Sequence, residues 1–183
     1  MPLTGDVPLR FEDTPEMQLS LRMRDACSAV LCEVFGVELQ AIERFGTDHP
    51  LFILDREHAI DMRIRLRNGS YLLGQEKVLS FKFYKYRTFT IEFWQNRNTK
   101  EPGEFFKIAS QFYLHGYANS HENGFVEWKI LDVLKLIDWL KCCGLDKLDS
   151  RTRPSGGSRA AFLPIGYDRI PQAFIHAEWK ASS

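Results

Sequence analysis

Residues 59–67 alternate cleanly between two kinds of side chain. Ile60, Met62, Ile64 and Leu66 face one way, and Asp61, Arg63, Arg65 and Arg67 face the other. This is the period of a strand with one buried and one open face. Asn68-Gly69 follows as a hairpin signal, and Ser70 to Leu79 returns as the partner strand. Two registers are open to such a hairpin. A two-residue turn at Asn68-Gly69 sets Asp61 opposite Glu76. A three-residue loop, Arg67-Asn68-Gly69 with Gly69 as the left-handed bulge residue, sets Asp61 opposite Gln75 and leaves Lys77 on the same face.

Around this hairpin the chain alternates helical and strand-like pieces. Thr14, Pro15 and Glu16 suit the start of a helix. Leu19, Met23, Ala26, Cys27, Val30, Leu31 and Val34 then recur at helical spacing up to Gly36, predicting a helix over 16–35. Residues 37–45 and 51–54 read as short strands separated by Asp48, His49 and Pro50. A third strand is expected over 87–94, a short helix over 103–110, and strands over 112–118 and 125–131. Asp132 caps a last helix whose stripe is Val133, Leu136, Ile137 and Leu140, with Gly144 as its stop. The expected fold is α/β, a mixed sheet flanked by helices. At 183 residues and 21.3 kDa the chain has the size of a single domain. Residues 1–13 read as an extended arm, 14–145 as the core, and 146–183 as a polar loop and extended tail.

Composition excludes several classes. Hydrophobic residues at 44% and charged residues at 26% argue against wholesale disorder. No apolar run approaches the roughly 18–20 residues of a membrane span. The N-terminus lacks the basic and apolar segments of a signal peptide. Cys27, Cys32, Cys142 and Cys143 fit neither a disulfide framework nor a zinc set, and read as reduced thiols of a cytoplasmic protein. Net charge is zero, but residues 1–55 hold four basic and ten acidic side chains, whereas 56–107 hold eleven and six. A locally basic middle suits a phosphate backbone, although solvated strand faces account for the same charges.

Asp61 on one hairpin strand and Gln75-Glu76-Lys77 on the next resemble the PD-(D/E)XK nuclease superfamily. The likeness extends over about 16–119: leading helix, motif hairpin, third strand, following helix and strand. It implies a restriction-endonuclease-like core acting as a Mg²⁺-dependent endonuclease, with Mn²⁺ as an alternative metal. Asp61 would be the first metal ligand and Lys77 the catalytic lysine. Gln75 stands where the second acid of the pattern normally sits and brings no charge, which lowers the expected metal affinity. Phosphodiester hydrolysis calls for a metal held by hard oxygens and a cation beside it. The resemblance needs the register that pairs Asp61 with Gln75. In the other register Asp61 and Glu76 form the acidic pair, so Glu76 is a further candidate ligand. Members often add an acid from the first helix; Glu33 projects onto its apolar face and is the candidate here, with Glu43 and Asp55 behind it. The resemblance also implies DNA as substrate and a homodimer.

Candidate nucleic-acid contacts are Arg63 and Arg65 on the hairpin, then Lys82, Lys85 and Arg87, which interleave with Phe81, Phe83, Tyr84, Tyr86 and Phe89. Most of these aromatics are expected in the core. Arg151, Arg153 and Arg159 flank Ser155-Gly156-Gly157-Ser158, a second place for a phosphate. His115 reads as a core histidine. The rival to a nuclease is a catalytically inactive protein of the same fold that binds nucleic acid or a protein partner.

Overall fold

The computed structural model describes residues 14–154 and 159–182; the arm over 1–13 and the Ser155–Ser158 loop lie outside them. The chain opens with helix α1 (Pro15–Phe35). Thr14 caps it by accepting the Met17 N–H at 3.3 Å, and Gly36 ends it in the left-handed conformation at φ 62°. Strand β1 (Ile42–Arg44) and helix α2 (Phe52–His58) lead to the hairpin of β2 (Met62–Arg65) and β3 (Tyr71–Leu79). Then follow β4 (Thr88–Asn96), the short β5 (Glu101–Pro102), the single-turn helix α3 (Glu104–Lys107), β6 (Phe112–Ala118) and β7 (Phe125–Leu131). Helices α4 (Val133–Lys141) and α5 (Leu145–Asp149) and strands β8 (Arg153–Pro154), β9 (Ala161–Gly166) and β10 (Ile175–Lys180) complete the described order. Among these residues no helix is long and apolar enough to cross a membrane.

The strands form two sheets. One has the order β1-β2-β3-β6-β7-β10 and is mixed: β3 and β6 run parallel and their neighbours antiparallel. The other is an antiparallel sheet in the order β5-β4-β9-β8. Helix α1 covers one face of the large sheet through Leu19, Met23, Cys27 and Leu31 against Met62, Ile64, Leu114 and Ile130. The opposite face receives the small sheet and α4, where Phe89, Ile91, Phe93, Leu163 and Ile165 meet Tyr113, Tyr117, Leu131, Leu136 and Ile137. The central strands β3, β6 and β7 therefore send alternate side chains into two different cores. In β3, Gly74, Glu76 and Val78 look toward α1, while Gln75, Lys77 and Leu79 look toward the small sheet.

The hairpin takes the three-residue loop. Met62 pairs with Gly74 and Arg65 with Tyr71, the Leu66 N–H donates to Ser70 O, and Gly69 sits at φ 82°. This register carries Asp61 to the level of Gln75. The expected third strand forms as β4, in the second sheet. Three expectations about local structure fail. Residues 52–54 belong to helix α2, with Leu51 as its N-cap, since a short apolar run suits either element. Residues 81–86 are a 3-10 turn, with Phe81, Phe83 and Tyr86 exposed. The loop expected from 146 holds α5 and β8.

A half-buried acidic cleft around Lys77

Asp61 sits just before β2, where the pairing of β2 with β3 stops. Its N–H donates to Gly74 O at 2.9 Å, and its Oδ2 accepts the Glu76 N–H at 2.9 Å. The carboxylate thus takes over the open edge of β3 that β2 no longer covers. Helix α2 brings Asp55 close enough for the two carboxyl groups to act on one another. The chain makes this turn at Ala59, which ends α2 at φ 49° and is held by Ser110 Oγ donating to its carbonyl at 2.6 Å.

Gln75 and Lys77 follow on the face toward the small sheet. Gln75 is buried; its Nε2 donates to Glu104 Oε1, and its Oε1 has no partner. Lys77 Nζ donates to Thr90 O at 3.3 Å and lies 4.5 Å from the centroid of Phe162 on β9. Glu104 is the first residue of α3 and arrives through Gly103. A β-carbon at Gly103 would stand 2.7 Å from Glu92 O, so glycine lets α3 close onto β4 and sets Glu104 beside Glu92. Tyr113 projects from β6 into the same space, with its buried hydroxyl unpartnered. A cleft of about 270 Å³ opens here between Gln75, Lys77, Glu104 and Tyr113 on one side and Glu16, Met17 and Ser20 of α1 on the other.

Charge in the cleft is unbalanced. Burial pushes the Asp61 carboxyl well above the usual range, and Asp55, Glu76 and Glu104 push it further, against the Glu76 N–H. Burial also raises Asp55, against the neighbouring Asp61 and the charge of Lys107. Glu92 rises through burial and the charge of Glu104. Burial lowers Lys77, opposed by Glu104, Glu92 and Asp61. One lysine thus faces several carboxyl groups that share too few cations, an environment that favours a bound cation.

Among the described residues no group of three or more His, Cys, Asp and Glu side chains is placed to hold a metal ion. A Mg²⁺ ion is nevertheless commonly held by one or two carboxylates with waters. Asp61 and Glu104, with the orphaned Oε1 of Gln75, are hard oxygen donors of that kind. On donor chemistry the residues fit such an ion.

Glu76 lines the cleft from the α1 side, where Arg44 holds it with Nε and Nη2 each at 2.9 Å. The other candidates scatter. Glu33 is exposed near the end of α1, about 25 Å along the helix from Glu16, which lines the cleft in its stead. Arg63 pairs with Glu43 at 2.5 Å and lies over Tyr71; Arg65 is exposed. Arg87 donates twice to the buried Glu127, at 2.7 and 2.6 Å. Lys82 and Lys85 are exposed on the 3-10 turn. Arg151 is half-buried and Arg159 exposed; Arg153 pairs across the strands with Phe162, the ring beneath Lys77. Sequence reasoning passed over Glu16, Glu92, Glu104 and Tyr113 and gave Asp55 only a minor place. Gly103 directly before an acid at a helix start is the one local signal that pointed to Glu104. Comparison of the chain with protein-family profiles, with curated proteins and with solved structures gives no match in any of the three.

Proposed function

We propose that the protein is a metal-dependent nuclease acting on DNA, with a restriction-endonuclease-like core. The observation that carries this reading is the half-buried cleft lined by Gln75, Lys77 and Glu104, with the Asp61 and Glu92 carboxyls close enough for their charge to act on Lys77. The strand order adds support: β1, β2 and β3 form an antiparallel meander behind α1, and β6 then runs parallel to β3.

Asp61, Glu104 and Gln75 Oε1 are the residues that would hold Mg²⁺ or Mn²⁺. Bound there, the metal supplies an acidified water and neutralises charge on the phosphate. Asp61 is kept in place by the Glu76 N–H, and Asp55 beside it offers a group that takes up a proton. Lys77 is fixed by Thr90 O and Phe162, so its ammonium is pre-positioned toward a phosphoryl oxygen without reorganisation. The unpartnered Tyr113 hydroxyl is a second donor for such an oxygen.

The test is cleavage of supercoiled and single-stranded DNA with Mg²⁺, Mn²⁺ or EDTA by wild type, Asp61→Ala, Lys77→Ala and Glu104→Ala. Metal-dependent cutting lost in all three variants is expected. Cutting that persists in Lys77→Ala and Asp61→Ala would overturn the assignment. A second reading, a non-catalytic binding protein of this fold, is favoured by the commitment of the Gln75 amide to Glu104. It requires DNA binding of equal strength in chelator and no cleavage with any metal.

A further inference from the structure

Two residues beyond Leu79, which lines the cleft, the surface changes character. The 3-10 turn Phe81–Tyr86 exposes Phe81, Phe83 and Tyr86 by 46%, 41% and 60%. Three large rings exposed together on one turn form a patch rather than the scattered single residues of an ordinary surface. Between them stand Lys82 and Lys85, whose ammonium groups lie 4.9 Å from the Phe83 centroid and 5.0 Å from the Tyr86 centroid. The turn is rigidly based. Tyr84 packs on the core and meets Tyr117 edge-on at 5.6 Å, and it stacks on Phe81 at 6.2 Å. Arg87 closes the turn in the left-handed region, donating its N–H to Tyr84 O, and is anchored to the buried Glu127.

Rings held open on a fixed base, two of them with an ammonium group beside the ring, match the chemistry of a single nucleic-acid strand. Unstacked bases offer faces for rings and phosphates for ammonium groups. A duplex offers its phosphates but keeps its base faces stacked inside. A lipid surface fits less well, because an ammonium lying over a ring would follow that ring into hydrocarbon. We propose that the Phe81–Tyr86 turn seats a single-stranded nucleic-acid segment beside the cleft, with bases on Phe81, Phe83 and Tyr86 and phosphates on Lys82 and Lys85. The inference deepens the nuclease reading by naming the form of the substrate, yet binding in chelator scores it without any cleavage.

The experiment is fluorescence anisotropy in EDTA with a labelled oligothymidylate of about 12 nucleotides, a duplex of the same length, and anionic phosphatidylglycerol vesicles. Wild type is expected to hold the single strand more tightly than the duplex. Phe83→Ala and Tyr86→Ala should each weaken single-strand binding roughly 5- to 100-fold, whereas Phe83→Trp should retain it. The double variant Lys82→Gln, Lys85→Gln should flatten the plot of log affinity against log salt by about 1.4. Because these side chains are exposed, unchanged melting temperatures will show the variants folded. Ring variants that bind the single strand as wild type does would overturn the proposal. So would equal weakening on the duplex, or binding to the vesicles alone. Intact single-strand binding without cleavage would support this proposal and count against the nuclease reading.

Discussion

Exchanging Gln75 for Glu supplies the second acid that the proposed nuclease reading would place here, and sets it against an acid already there. Gln75 Nε2 donates to Glu104 Oε1, so Gln75→Glu replaces a hydrogen bond with two carboxylates in contact. Two unit charges about 3 Å apart in an effective dielectric near 20 repel by about 5 kcal/mol. The pair escapes part of this by keeping one proton, and that proton limits the cost. Holding it on a group whose unfolded pKa is about 4.3 costs about 5 kcal/mol at pH 8 but only about 2 kcal/mol at pH 6. The sign follows from proton counts. The folded pKa is raised, the native state binds the extra proton, and stability falls as pH rises. At about 2–4 °C per kcal/mol for a chain of this size, Gln75→Glu in EDTA should melt roughly 10–20 °C below wild type at pH 8. At pH 6 the deficit should shrink to roughly 4–8 °C. Millimolar Mg²⁺ should recover much of the loss at pH 8, since a cation between the two acids binds only the folded state. Calorimetry across pH 6–8 with and without Mg²⁺ reads all of this. Melting equal to wild type at both pH values would refute the Gln75–Glu104 contact. A deficit that Mg²⁺ leaves untouched would refute the metal site.

Asp61→Asn should abolish metal-dependent cutting and yet melt above wild type at pH 8, with the gap closing toward pH 4. The raised Asp61 carboxyl makes the native state hold a proton that the unfolded chain gives up above its ordinary range; a lower melting temperature at pH 8 would contradict this. Arg87→Met should destabilise by roughly 3 kcal/mol by leaving the Glu127 carboxylate buried and unpaired, and Arg87→Met with Glu127→Leu should recover most of it in urea titrations. His115 is buried with its Nδ1 2.6 Å from the Tyr167 hydroxyl, and burial, reinforced by Lys77, holds its pKa well below normal. It stays neutral when folded, so stability should fall as pH drops below about 6.5, where the unfolded histidine takes up its proton; His115→Phe should flatten that slope in pH-dependent unfolding. Gly103→Ala should push α3 off β4, because the new methyl meets Glu92 backbone, and should weaken Mg²⁺ affinity measured by calorimetry with little change in far-UV circular dichroism.

How far the sequence could be read depended on whether neighbouring residues carried the signal. The α1 caps at Thr14 and Gly36, the Asp132 cap of α4 and the three-residue hairpin loop with Gly69 are local chemistry, and each stands where the sequence placed it or among the alternatives it allowed. The register mattered most, since it moves Asp61 from Glu76 to Gln75. Residues 51–54 misled because four apolar residues satisfy a strand and a helix turn equally. Helical projection put Glu33 on the apolar face, but there Val30, Leu31, Val34 and Phe35 take up the core contacts and Glu33 is left exposed. The alternating aromatics after Ser80 imitate a buried strand, and only the 3-10 geometry shows that Phe81, Phe83 and Tyr86 face outward. Glu92 and Glu104 were illegible as site residues for a different reason. Their closeness to Lys77 follows from the docking of a second sheet, which pairs segments far apart in the chain.

That second sheet has a kinetic consequence. Strand β4 departs between β3 and β6 and finds its main partner in β9, with Thr88 opposite Gly166. Pairings across so long a stretch of chain form slowly, because the loop must close before any contact rewards it. Helix α1 and the β2–β3 hairpin close over short distances by comparison. Lys77 waits on that late docking, since Thr90 O, Glu92 and the Phe162 ring all reach it from the small sheet. In refolding, secondary structure will therefore return first and the cleft last. An intermediate with a complete hairpin will hold Asp61 and Gln75 at the same level while Lys77 still lies in water as an ordinary lysine.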